Sequence, residues 1–120
     1  MPSASGSQAY PSMSPFAEFD ASDAFSPHAV AAAGLFQDGR ALLIDRAALP
    51  DAFFDLRTGL AGELTQRLSL YGIRLACVVP DLAAQPERFR EFAREANRGD
   101  VIRFFEMRDA AERWLESTAE

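Results

Sequence analysis

The stretch GLAGELTQRLSLYGIRLACVV, residues 59–79, decides the fold class. Leu60, Leu64, Leu68 and Tyr71 recur at the spacing of one helical face, and Gly72 is the residue type that most readily ends a helix. Residues 73–79 (IRLACVV) are dense in β-branched and aliphatic side chains and run into Pro80, the composition of a strand covered on both faces. A helix feeding a two-sided strand is the repeating unit of an α/β protein.

Working outward, the same unit recurs. ALLI (41–44) reads as a buried strand after Gly39. Ser26 can cap, and Pro27 can open, a short Ala-rich helix that reaches about residue 36. Pro50 opens the region leading into the central helix, whose start is either near Asp51 or near Thr58. Pro86 suits another first turn, followed by an apolar face of Phe89, Phe92, Ala93 and Ala96. Asn97-Arg98-Gly99 then supplies a stop, with Gly99 expected in the left-handed conformation. VIRFF (101–105) is a further strand, and Asp109 and Glu112 have capping-box spacing ahead of a last helix burying Ala111, Trp114 and Leu115. Strands separated by helices of this length run parallel with right-handed crossovers. The expectation is a small α/β sandwich: a mostly parallel sheet of three to four strands covered by about four helices.

The chain has 120 residues, 48% hydrophobic and 25% charged, which suits one globular domain. Residues 1–20, rich in Ser, Pro, Ala and Gly, read as a flexible tail, and 21–120 as the domain. Tyr10, Phe16 and Phe19 allow a docked segment or a short edge strand, but a tail is the plainer reading. The net charge is −6, and all 12 basic residues are Arg. An acidic chain has no field to attract nucleic acid or an anionic bilayer, and no apolar run is long enough to span one. No Arg precedes Arg40, so neither a secretory signal nor a mitochondrial presequence is expected in this stretch. With Cys77 the single cysteine, no internal disulfide forms, and a cytoplasmic address is expected.

The candidate site begins in FFDLRTGLAGE (53–63). Gly59 and Gly62 weaken a helix that would be stronger with alanine, so something must require them. One reading is close approach by a partner or ligand; the plainer one is tight packing of helix on sheet. A helix starting near Thr58 would present amides and a positive dipole end, with Arg57 and the Thr58 hydroxyl as added donors for an anion. Asp55 and Glu63 flank this turn. The second candidate is EANRG (95–99), where Glu95, Asn97 and Arg98 either contact a partner or form a helix cap with a solvated charge pair. Arg90, Arg94 and Arg98 alternate with Glu87, Glu91 and Glu95 as an ion-paired wet face.

Reactive chemistry finds little purchase. His28 is the one histidine and reads as a surface residue, so metal sites built from several imidazoles are excluded within one chain. Cys77, mid-strand, reads as a small buried hydrophobe. Asp55, Glu63, Asp81 and Glu95 could supply a carboxylate pair, yet their spacing does not require one. Phosphate-loop and dinucleotide fingerprints are absent from the sequence. No catalytic residue, cofactor or metal is expected.

FFDLRTGLAGEL (53–64), Gln66-Arg67, LACVV (75–79) and EANRG (95–99) together resemble a bacterial family known only as a domain of unknown function. Its members read FFDL-x-TGLAGE, then Gln-Lys, an aliphatic LAIVGD strand and an E-S-N-R/K-G turn, and the similarity covers about residues 22–115. This chain departs from that pattern at Val79-Pro80, where Gly-Asp is usual, and at Leu70, where Asn is usual; the family's N-terminal strand is not evident. The family is similar in layout to STAS domains of sulphate transporters and anti-sigma-factor antagonists, in which a serine at a helix start is phosphorylated to break a protein contact. On that motif Leu56 stands at the aspartate and Arg57 at the serine, with only Thr58 and Gly59 matching in kind. The resemblance implies a non-enzymatic protein–protein interaction or regulatory module with an unidentified protein partner, a homodimer being left open. The rival expectation is a small-ligand or anion binder, or an enzyme, at the strand carboxyl ends with Asp45, Asp81 or Glu106 and a carboxylate of raised pKa. A DNA-linked regulator is a weaker third reading, opposed by the acidity.

Overall fold

A computed structural model describes residues 16–37 and 39–117. The proposed tail therefore lies, for residues 1–15, outside the described residues. The elements are β1 (Ala17–Phe19), α1 (Pro27–Leu35), β2 (Ala41–Asp45), α2 (Leu60–Tyr71), β3 (Arg74–Val78), α3 (Glu87–Ala96), β4 (Ile102–Phe105) and α4 (Arg108–Ser117). The four described strands form one all-parallel sheet in the order β1-β2-β3-β4. The chain is thus α/β, as its pattern implies.

Consecutive order with right-handed crossovers places α1, α2 and α3 on one face. The pleat agrees. Leu42 and Ile44, Leu75 and Cys77, and Ile102 and Phe104 are cross-strand partners that bury toward Val30, Leu64, Leu68 and Phe89. Ala41, Leu43, Ala76 and Val78 point to the other face, where Ala111 and Leu115 of α4 cover them. Each of these apolar side chains is worth about 1.5–3 kcal/mol when buried if large, less for alanine.

Local chemistry sets the ends. Ser26 Oγ accepts from Ala29 N–H at 3.0 Å, and Pro27 opens α1. Gly72 (φ 67°) closes α2 in a Schellman motif: Ile73 N–H donates to Leu68 C=O at 2.9 Å, and Gly72 N–H to Ser69 C=O at 3.3 Å. Three features differ from the sequence expectation. β1 lies within the stretch read as tail, held by burial of Phe19 and by Glu18, which accepts from Arg108 at 2.6 Å. Gly99 does not have a positive φ; its N–H instead donates to Ala96 C=O at 3.0 Å. Asp109 is inside the first turn of α4 rather than before it, and Glu112 accepts from Arg108 Nε at 2.8 Å, so no capping box forms.

Candidate functional site

Between β2 and α2 the chain makes short 3-10 turns at Arg46–Ala48, Asp51–Phe54 and Leu56–Thr58. Of the two starts considered for the central helix, the one near Thr58 is close to the observed Leu60. Phe53 and Phe54 are buried and anchor this connection in an aromatic cluster, Phe53 within 5.3–5.8 Å of Phe25, Phe54 and Phe89 at ring centroids. With the phenylalanines inside, Arg57, Thr58 and Gly59 are left outside, all exposed.

The corner is internally bonded. Asp55 Oδ1 accepts from the Arg57 N–H and from Arg57 Nε, both at 3.0 Å, and Asp55 Oδ2 accepts from Arg57 Nη2 at 2.9 Å. These hydrogen bonds, the side-chain ones foremost, hold the Asp55 carboxyl below the usual range of an aspartate and raise the Arg57 guanidinium. Thr58 Oγ1 lies 2.8 Å from the carbonyl oxygens of both Ala52 and Asp55, donating to one at a time, and accepts from Leu60 N–H at 3.3 Å. Of the donors expected for an anion, the Thr58 hydroxyl proton is engaged inside the loop, whereas Arg57 gives Nε and one Nη2 N–H to Asp55 and keeps the rest of its exposed guanidinium toward solvent. Gly59 has φ 80°, which favours glycine.

Packing of helix on sheet does not explain the two glycines. A Cβ on Gly59 or Gly62 would meet nothing within 4 Å, and both residues are exposed. Glu63, next to Gly62, is also exposed and accepts from Arg67 Nε at 3.2 Å. Asp55, Arg57, Thr58, Gly59, Gly62 and Glu63 thus form one outward corner.

An open groove of about 720 Å³ adjoins this corner. Phe54, Leu56 and Phe89 give it apolar surface; Asp55 and Arg57 line one side, and Pro86, Glu87 and Arg88 at the start of α3 line another. Arg46 braces the loops behind it. Its Nη1 donates to Leu49 C=O at 2.8 Å and its Nη2 to Asp51 at 3.1 Å, its Nε stands 3.5 Å from Asp81, and the guanidinium carbon sits 4.4 Å from the Phe54 ring centre. Sequence reasoning missed Arg46 and the start of α3. The available signal was that Arg46 is the lone cation between Arg40 and Arg57, in a connection whose other charged residues are Asp45, Asp51 and Asp55.

Glu95, Asn97 and Arg98 do not join the corner. They lie at the far end of α3, about 15 Å from its start by helical rise. Glu95 and Arg98 are an exposed pair at 3.9 Å. Asn97 secures the neighbouring strand. Its Oδ1 accepts from Phe104 N–H at 2.8 Å and its Nδ2 donates to Phe104 C=O at 3.2 Å, sealing the outer edge of β4.

The other carboxylates considered for catalysis are dispersed. Asp81 pairs with Arg46 and accepts from Gln85 Nε2 at 3.0 Å, while Glu106 stands in a separate cleft of about 170 Å³. Among the described residues no group of His, Cys, Asp or Glu could hold a metal ion. Nor is any described helix long and apolar enough to cross a membrane.

Among the described residues, a parallel sheet with three helices on one face, one on the other and an exposed turn beside a groove makes this an α/β protein. The chain belongs to the family described as a domain of unknown function (DUF4180), whose model matches residues 21–115. Comparison with curated proteins and with solved structures finds no match.

Proposed function

We propose that the chain is a non-enzymatic protein–protein interaction or regulatory module of the bacterial cytoplasm, STAS-like in kind, whose recognition surface is the Arg57-Thr58-Gly59 corner with Gly62, Glu63 and the adjoining groove. The observation that carries this reading is the open space over Gly62. Glycine in a helix costs about 0.5–1 kcal/mol relative to alanine, and here no neighbour among the described residues requires it. A bare helix start beside an exposed apolar groove suits a partner that approaches the backbone closely.

The volume of the groove favours a second reading, a small ligand or anion bound there, with or without catalysis. Two features weigh against it. The order of the described strands has no reversal, so they form no switch point of the kind at which α/β crevices open. At the groove Asp55 is also held by Arg57, and Glu87 places negative charge in the first turn of α3, where an anion would otherwise be favoured. Asp55, moreover, is shifted opposite to the raised carboxylate that acid catalysis would use.

Gly62→Trp is the direct test, because a Cβ at this exposed position meets nothing within 4 Å, whereas Gly59 variants are strained by their φ. Partner capture by the full chain should be lost in Gly62→Trp with thermal stability retained. Capture unchanged by tryptophan would leave the corner without a role. Stabilisation of the full chain by inorganic phosphate or a nucleotide would favour the second reading instead.

A further inference from the structure

We propose that Arg46 is the positioning residue of the groove: one guanidinium ties the β2–α2 connection to the β3–α3 connection and so sets the separation of the groove's two walls. Arg46 follows directly on β2, and Asp81 stands shortly beyond the end of β3. The two strands are neighbours in the sheet, with Asp45 opposite Val78, so both connections leave the same edge of the sheet side by side. One wall of the groove, Asp51 to Arg57, belongs to the first connection. The other, Gln85 to Phe89, ends the second connection and opens α3.

The guanidinium serves both walls. Toward the first, Nη1 donates to Leu49 C=O, Nη2 donates to Asp51 Oδ1, and the guanidinium carbon lies 4.4 Å from the Phe54 ring centre. Phe54 thus meets Arg46 as well as the Phe89 ring, 4.9 Å away between centroids. Toward the second wall, Nε stands 3.5 Å from Asp81 Oδ1, and Asp81 Oδ2 accepts from Gln85 Nε2 at 3.0 Å. Among the described residues no other ion pair or side-chain hydrogen bond joins the two connections. The Nε atom is buried and makes no hydrogen bond within the protein, so the Asp81 carboxylate is the charge it faces. These contacts use two amino groups, the Nε edge and the flat face of a guanidinium. Lysine, a single ammonium on a flexible stem, cannot reproduce them together.

Arg46 does not itself line the groove and acts through Asp51, Phe54 and Gln85, which do. Its role rests on the reading of the groove as part of the recognition surface. Loops that must be ordered on binding weaken a complex, and a groove whose walls are already fixed avoids that cost.

Pulsed electron paramagnetic resonance on the full chain reads the wall separation. Spin labels at Ala52→Cys and Arg88→Cys, two exposed positions, report across the groove in a Cys77→Ala background. Labels at Glu91→Cys and Glu116→Cys, also exposed, report on α3 against α4 as a control. With Arg46 in place the groove pair should give a narrow distance distribution. Arg46→Gln should widen it roughly twofold, with the control pair unchanged. Asp81→Asn, which removes the charge facing Nε, should widen it in the same direction but less, and Arg46→Lys should not restore the narrow distribution. A groove distribution unchanged in Arg46→Gln or in Asp81→Asn overturns the inference, so the test holds even if one variant fails to fold. Equal broadening of groove and control pairs overturns it too, because the whole fold would then have loosened. This readout needs no partner: capture by Gly62→Trp tests the recognition surface, the label distances test the brace, and either can fail alone.

Discussion

Alanine placed in turn at Gly34, Gly59 and Gly62 should change stability in directions set by three different local environments. Gly62 is the third residue of α2, and a Cβ there has no neighbour within 4 Å. Only helix propensity changes, and near a helix end that is a gain of about 0.5 kcal/mol. Gly59 has equal space but φ 80°, where an L side chain is strained, so alanine costs about 1–2 kcal/mol. Gly34 is helical and buried, and its Cβ would stand 2.7 Å from Ile73 Cγ2 and 3.0 Å from Ile73 Cδ1. Ile73 is 1% exposed, leaving little room to yield. Overpacking of about 1–3 kcal/mol outweighs the propensity gain of about 1 kcal/mol. Urea unfolding by circular dichroism at one protein concentration measures all three as midpoint shifts at constant slope. Gly62→Ala should gain stability, and the other two should lose it. A loss at Gly62, or a gain at Gly34, refutes the reasoning.

Asn97→Ala should cost about 1–3 kcal/mol in the same assay, because both bonds to Phe104 vanish and the Phe104 N–H loses its acceptor, whereas Asn97→Asp, which still accepts, should cost less. A neutral Asn97→Ala would show that the edge of β4 needs no seal. Asp55 should titrate by NMR below the ordinary aspartate value of about 3.9, and return toward it in Arg57→Gln. The sign follows: whatever this pair adds to stability is present above the unfolded pKa and is lost as pH falls through the lowered folded value. An ordinary midpoint in the wild type would contradict the bonded geometry. Burial pushes the Cys77 thiol up, so native protein should resist thiol reagents and react on urea unfolding; labelling of the native chain at the rate of a free thiol would place Cys77 outside the core.

The strands at 41–44 and 73–79 were legible because both faces are buried, leaving uninterrupted apolar runs. α2 was legible because Leu64 and Leu68 recur on its single buried face. β1 was not, since three residues carry no period and its place depends on Phe19 and on Glu18 meeting Arg108 from the far end of the chain. Gly34 was hidden for a related reason: its need arises from Ile73, distant in sequence. Arg40 has φ 52°, and its turn is secured by Gln37 Oε1 accepting from Ala41 N–H at 2.8 Å, a local bond that no composition rule announces. At the site, the exposure of Thr58 and Gly59 was readable from the helix start, but the commitment of Arg57 to Asp55 was not. Residues two apart can pair or diverge, and here the turn brings them together. Asn97 was assigned to the end of its own helix, whereas the unpaired edge of β4 provides a better set of partners for its amide.

The central claim is that the corner around Thr58 and Gly59 receives a protein partner. Quantitative affinity purification from the native host, with the wild-type chain and Gly62→Trp compared side by side, tests it most directly. The account predicts at least one protein bound by the wild type and lost from a variant that melts at the same temperature. Identical sets of bound proteins from two equally folded chains would contradict it.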